Sequence, residues 1–123
     1  MDLHDIGTAG AVLVGAGRAL TGLYFLARPE AGARAWVGDA STSSSYLIRA
    51  IGGRDLVIGA GVLWAVAADA SPAAWVLASV GGDVVDAAFA STMLDADHRK
   101  KAIAMAGGFG VLGAATAALL LAS

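Results

Sequence analysis

Four apolar stretches, each close to the ~20 residues that carry a helix across the hydrocarbon core of a bilayer, occupy most of this 123-residue chain. They run from about residue 6 to 27, 45 to 68, 72 to 94 and 102 to 122. A soluble fold of this size has no interior large enough to hide them, because a small domain leaves much of its chain exposed. Composition agrees. The chain is 58% hydrophobic and 15% charged, where a soluble domain is about 45–50% apolar and about 25% charged. The class implied is all-α: a single integral membrane domain, residues 1–123, built as a four-helix bundle.

Missing residue types narrow the chemistry. There is no cysteine, so a structural disulfide, a thiol nucleophile and a thiolate metal site are all excluded. Asn and Gln are absent too, which leaves Ser, Thr, Tyr, Trp and the ionisable residues to supply buried polarity. A net charge of −2 offers no basic footprint for nucleic acid. The opening Met1-Asp2-Leu3-His4-Asp5 is acidic where a secretory leader is basic, so the first apolar stretch is expected to be retained.

Loop charges give an orientation. Arg28, Arg34, Arg99, Lys100 and Lys101 fall in the two loops on one side of the four spans, while the termini and the 69–71 turn carry no Lys or Arg. The positive-inside rule then puts the basic loops in the cytoplasm and both termini on the non-cytoplasmic side. Tyr24, Trp36 and Tyr46 fall toward the basic face and Trp64 and Trp75 toward the other, as interfacial aromatics would. Pro29 suits the first turn of a helix, which predicts a short interfacial helix over about 30–38. Ser71-Pro72 reads as an N-cap and first-turn proline, closing a tight hairpin between the second and third spans.

Small residues recur every fourth position in the last span, at Ala102, Ala106, Gly110, Ala114, Ala118 and Ala122, and in the first at Gly7, Ala11, Gly15 and Ala19. Such stripes let helix backbones approach closely in lipid, within one bundle or between two copies. A homo-oligomer, in the form of a homodimer, is the expectation. Gly108-Phe109-Gly110-Val111-Leu112-Gly113 formally matches a dinucleotide fingerprint. It lacks the preceding strand and the acidic residue about 20 positions on that the chemistry requires, so no cofactor is expected.

The informative residues are the ionisable ones inside the spans: Arg18, Arg49, Arg54, Asp55, Asp83 and Asp86. Charge is costly near the bilayer centre and marks a paired network, a water cavity or a functional site. Counting helical rise from the basic ends places Arg18, Arg54, Asp55, Asp83 and Asp86 about 12–17 Å deep, with Arg49 nearer the surface at about 6–7 Å. Arg49 is placed to snorkel. With it the layer balances, three positive against three negative.

Helical geometry adds detail. Asp83 and Asp86 are i, i+3 and share a face with Ser79 below them; an Arg between the two carboxylates would relieve their repulsion. Arg54 and Asp55 point about 100° apart, so one can face span three and the other Arg18 on span one. Gly52-Gly53, Gly81-Gly82 and Gly110 are the expected close-packing positions around the layer. His4 and His98 lie on opposite sides of the membrane by this topology, and no His reaches Asp83, which argues against a metal site and a Ser-His-Asp triad.

Arg18, Arg49-x-x-Gly52-Gly53-Arg54-Asp55-Leu56-x-x-Gly59 and Asp83-x-x-Asp86 together resemble a group of small four-helix bacterial membrane proteins, a domain-of-unknown-function family distantly similar to the DoxX-like proteins. The resemblance covers nearly the whole chain. It implies a multi-pass protein of the bacterial inner (plasma) membrane. Some DoxX-like relatives are linked with membrane thiol and redox systems; with no Cys, this chain has no thiol of its own for such a role.

Three functional readings follow. In the first, Arg18, Arg54, Asp55, Asp83 and Asp86 line a pocket that holds a small lipophilic molecule. Were that molecule isomerised or cyclised there, Asp83 or Asp86 would be the general acid or base, with Arg54 and Arg18 holding developing negative charge. In the second, a proton-coupled small exporter acts as a dimer with an aspartate as carrier. In the third, the protein is a structural membrane subunit whose buried ion pairs set helix packing alone.

Overall fold

The computed structural model describes residues 1–93 and 95–123. It is all-helical among those residues, with α1 (Leu3–Ala27), α2 (Pro29–Trp36), α3 (Thr42–Ala67), α4 (Ala73–Met93) and α5 (Ala96–Ala122) in chain order. α1, α3, α4 and α5 are long and apolar enough to cross a membrane. Only 22–39% of the residues in their apolar windows are buried in the bundle. Leu13, Leu20, Val57, Val84, Val111 and Leu121 point outward, each more than 60% exposed. Water would not tolerate that much outward apolar surface, whereas lipid acyl chains match it. The chain is a polytopic helical membrane protein.

Local chemistry explains the helix ends. Asp2 and Asp5 form a reciprocal capping box at α1. Pro29 begins α2 and Ser41 caps α3, accepting from the Ser44 amide. α3 ends in a paired turn, with the Ala70 amide on the Ala65 carbonyl at 2.9 Å and the Asp69 amide on Val66 at 3.2 Å. That turn places Asp69 at φ +55°, a left-handed conformation that a short polar side chain tolerates.

The last helix begins earlier than expected. Asp95 to Lys101 reads as a solvated loop in the sequence, yet Asp95 is an N-cap whose carboxylate accepts from the His98 amide. Asp97 to Lys101 therefore form the first turns of α5 rather than a loop. The expected end of the third span, Leu94, lies outside the described residues.

Packing is uneven along the bundle. In the half nearest the termini all four long helices meet. Gly7 and Gly10 of α1 press on Leu120 and Thr116 of α5, Gly15 on Val62 of α3, and Gly61 of α3 on the Trp75 indole of α4. Ala11, Val62, Val76 and Ala117 fill the space between them. α1 and α3 stay in contact along their whole crossing: a Cβ on Gly59 would lie 2.5 Å from the Ala19 amide nitrogen, and one on Gly22 would lie 2.5 Å from the Gly52 carbonyl oxygen.

Toward the α1–α2 and α4–α5 connections the bundle loosens, and α2 lies there with Ala33 packed on Phe25 and Ile48. Of the expected close-packing glycines, Gly52 does hold two backbones together. Gly53 and Gly81 do not, because a Cβ at either meets nothing within 4 Å. Gly82 and Gly110 instead flank the charged layer, beside the Arg54 guanidinium and the Asp83 Cβ. The α5 stripe also divides: Ala102 and Ala106 are buried, whereas Ala114, Ala118 and Ala122 face outward.

Candidate functional site

The charged layer forms where the closed half gives way to the open one. Arg18 of α1 lies at its centre, 9% exposed. Its Nε donates to Ser79 Oγ at 2.8 Å and its Nη1 to Asp55 Oδ1 at 2.9 Å; its Nη2 donates to the Ser79 carbonyl at 2.8 Å and to Asp83 Oδ1. One guanidinium thus joins α1, α3 and α4. Arg fits this place because its planar fork offers several donors at fixed angles and keeps its charge when buried.

Arg54 forms a second node. Its Nη1 and Nη2 grip both oxygens of Asp86 at 2.9 and 2.8 Å, a bidentate pair. Its Nε and Nη2 also fold back on Asp55 Oδ1 at 3.2 and 3.0 Å. The adjacent residues Arg54 and Asp55 do diverge around α3, Asp55 turning to Arg18 and Arg54 to Asp86. A single Arg between Asp83 and Asp86 is not what forms; each carboxylate has its own Arg, from a different helix. Arg49, counted in the balanced layer, is exposed and makes no ion pair among the described residues. It sits one turn nearer the basic end than Gly53, on an outward face.

Asp83 differs from its two neighbours. It is 5% exposed, its Oδ1 accepts from Arg18, and its Oδ2 is buried with no hydrogen-bond partner. Buried polar atoms are paired in the great majority of cases, which sets this buried, unpaired carboxylate oxygen apart from the rest of the layer.

Above the layer, on the side of α2, lies a cavity of about 610 Å³. All five helices contribute to it. Arg18, Arg54, Asp55, Asp83 and Asp86 make its polar floor, and Phe25, Trp36, Ile48, Phe89, Met105 and Phe109 are among its apolar walls. Ser43 and Ser44 stand at the α2–α3 end. The volume falls within the range of small-molecule sites, as does the pattern of apolar walls with a few convergent polar groups. A narrower apolar groove of about 270 Å³ runs between α4 and α5 and shares Asp83 and Ala106 with the cavity.

Ser79 and the aromatic walls are the site residues that sequence reasoning did not assign. Ser79 lay on the Asp83 face, but nothing in the sequence showed that it accepts from Arg18 through both its hydroxyl and its carbonyl. Trp36 reads in the sequence as an interfacial aromatic rather than a cavity wall, and Phe89 carries no signal beyond being aromatic in an apolar chain.

Outside the membrane-spanning segments, two carboxylates are shifted. The His98 amide and imidazole hold Asp95 below the usual carboxylate range. The Ser41 amide, with the Ser44 and Ser41 hydroxyls, does the same for Asp39. Among the described residues no group of three His, Cys, Asp or Glu side chains is arranged to hold a metal ion. The chain matches no protein-family model, no curated protein and no solved structure in the comparisons made.

Proposed function

We propose that this protein binds a small lipophilic molecule in the cavity between its helices, with the molecule's polar end on the Arg18–Asp55–Asp83 layer and its apolar body among Phe25, Trp36, Phe89 and Phe109. The observation that carries this reading is the cavity itself, about 610 Å³ set directly on the ion-paired floor. Helix pairing through ion pairs explains the floor but gives no reason for a void above it, since membrane helices gain by packing together. Were the bound molecule isomerised or cyclised, Asp83 would be the acid or base, because both oxygens of Asp86 are engaged by Arg54.

The same reading takes the cavity to lie on the cytoplasmic side of a bacterial inner membrane with the termini outside, and the chain to be one of a group of small four-helix membrane proteins distantly similar to the DoxX-like proteins. The loop charges and the motifs around Arg54 support it. The outward run Ala114, Ala118 and Ala122 is the surface by which two copies would pair as a homodimer.

Native mass spectrometry of chain extracted from its own membranes in a mild detergent tests the binding reading. The expected result is one co-purifying lipophilic molecule per chain, lost in Ala106→Trp, which fills the cavity from α5. Repeated recovery of wild-type chain with no bound molecule would overturn it.

A further inference from the structure

The layer's formal charge does not cancel. With Arg49 outside it, two guanidinium groups face the three carboxylates of Asp55, Asp83 and Asp86, and no Lys, His or further Arg lines the cavity. Both guanidinium groups are already engaged: Arg18 with Ser79, Asp55 and Asp83, and Arg54 with Asp86 and Asp55. What remains without a hydrogen bond is carboxylate: the buried Asp83 Oδ2, and Asp55 Oδ2, since all three donors to Asp55 fall on its Oδ1. An anionic head group entering here would meet surplus negative charge and no free guanidinium. A neutral one would leave that charge to be relieved by a proton alone, since an unpaired charge is costly where water is scarce.

We propose that the cavity takes a lipophilic monocation, an ammonium-type head group seated beside Asp83, and that this cation competes with one proton for the layer's single uncompensated negative charge. The inference rests on the binding reading above and names the chemical class of the occupant. The walls suit it, because Phe25, Trp36, Phe89 and Phe109 line the cavity and aromatic rings attract a desolvated cation. Charged groups face Asp83 from three helices: Arg18 from α1, Arg54 and Asp55 from α3, and Asp86 from its own α4. α5 brings Ala106 and Gly110 to it, and α2 adds Trp36 and no charge to the cavity lining.

Benzyltrimethylammonium and neopentylbenzene are a suitable pair of probes, since they have the same shape and differ in carrying nitrogen or carbon at the quaternary centre. 4-Phenylbutanoate serves as the anion. Each is titrated into the full chain in a nonionic detergent while the indole N–H resonance of Trp36 is followed. Trp64 and Trp75, which lie outside the cavity lining, serve as internal controls.

The expected result is that the ammonium binds about tenfold or more tightly than its neutral isostere, the scale of one partly desolvated charge contact. In weakly buffered acid solution its binding releases up to about one proton, because the cation replaces it. Asp83→Asn retains the oxygen that accepts from Arg18 but removes the surplus charge. It is expected to abolish both the preference and the proton release while leaving the neutral probe's affinity intact, which also shows that the variant is folded. Equal affinity for ammonium and isostere, or a preference for the anion, overturns the charge assignment and leaves the binding reading standing. Ammonium binding without proton release overturns the competition. If no probe moves the Trp36 resonance, both readings fall.

Discussion

The two halves of this bundle are made from the same few residue types and do different things with them. In the half near the termini, glycine and alanine face large side chains of the neighbouring helix: Gly61 against Trp75, Gly15 against Val62, Gly113 against Val80. In the half near α2 the small residues Gly17, Ala90, Ala102 and Ala106 face a cavity instead. A small residue in a membrane helix is therefore ambiguous by itself. It permits close approach, and only the partner helix decides whether the space is filled or left open. The Arg/Asp layer is the boundary between the two regimes.

The largest expected effect comes from removing the central cation of that boundary. Arg18→Met leaves Asp55 and Asp83 buried without it, which costs about 3–5 kcal/mol for a broken buried pair. Arg54→Met acts on a side chain 30% exposed at the edge of the cavity and is expected to cost about 1 kcal/mol or less. Thermal unfolding of the two variants in the same detergent measures the contrast. Equal losses would mean that the boundary is no more buried than its rim.

Glycines give a smaller and opposite-signed pair. Gly59→Ala pushes a Cβ onto the α1 backbone at Ala19 and Gly15, an overpacking that costs about 1–3 kcal/mol. Gly53→Ala adds a methyl where nothing lies within 4 Å, and the gain in helix propensity stabilises by about 0.5–1 kcal/mol. Unfolding midpoints of the two variants should move in opposite directions.

The smallest effect lies outside the membrane. Asp95 caps α5 as a carboxylate held below its usual range by the His98 amide and imidazole. A depressed folded value means the contribution is present above the unfolded value of about 3.9 and is lost as pH falls through the folded one. Amide exchange at His98 and Arg99 should accelerate as pH drops below about 4 relative to mid-helix amides, and Asp95→Ala should remove that pH dependence.

Much of this was legible in the chain and some of it was not, for one reason. Span lengths, the common depth of Arg18, Arg54 and Asp83, and the divergence of Arg54 from Asp55 follow from rise and angle along a single helix. Which helix face meets a neighbour does not follow, because lipid and protein interior are equally apolar and no periodicity separates them. For that reason the sequence does not show that Gly53 and Gly81 meet no neighbouring helix, and it leaves open whether the run Ala114, Ala118 and Ala122 faces inward or outward. Depth already puts Arg49 nearer the surface than the layer, and only the charge balance brings it in; membership depends on the direction it faces around α3. The extension of α5 through Asp97–Lys101 was hidden because charged residues at a membrane surface look like a loop until their N-cap, Asp95, is recognised.

The absence of cysteine from the chain allows the most direct test of the division between a closed and an open half. Ala106→Cys and Ala117→Cys place one thiol each on α5 at sites with similar burial, 8% and 2% exposed. The first lies at the cavity and the second in the closed core. Labelling of the folded chain by N-ethylmaleimide should be fast at position 106, slowed by a bound lipophile, and nearly absent at 117. Equal protection of the two thiols, or equal reactivity, would contradict the existence of an open half.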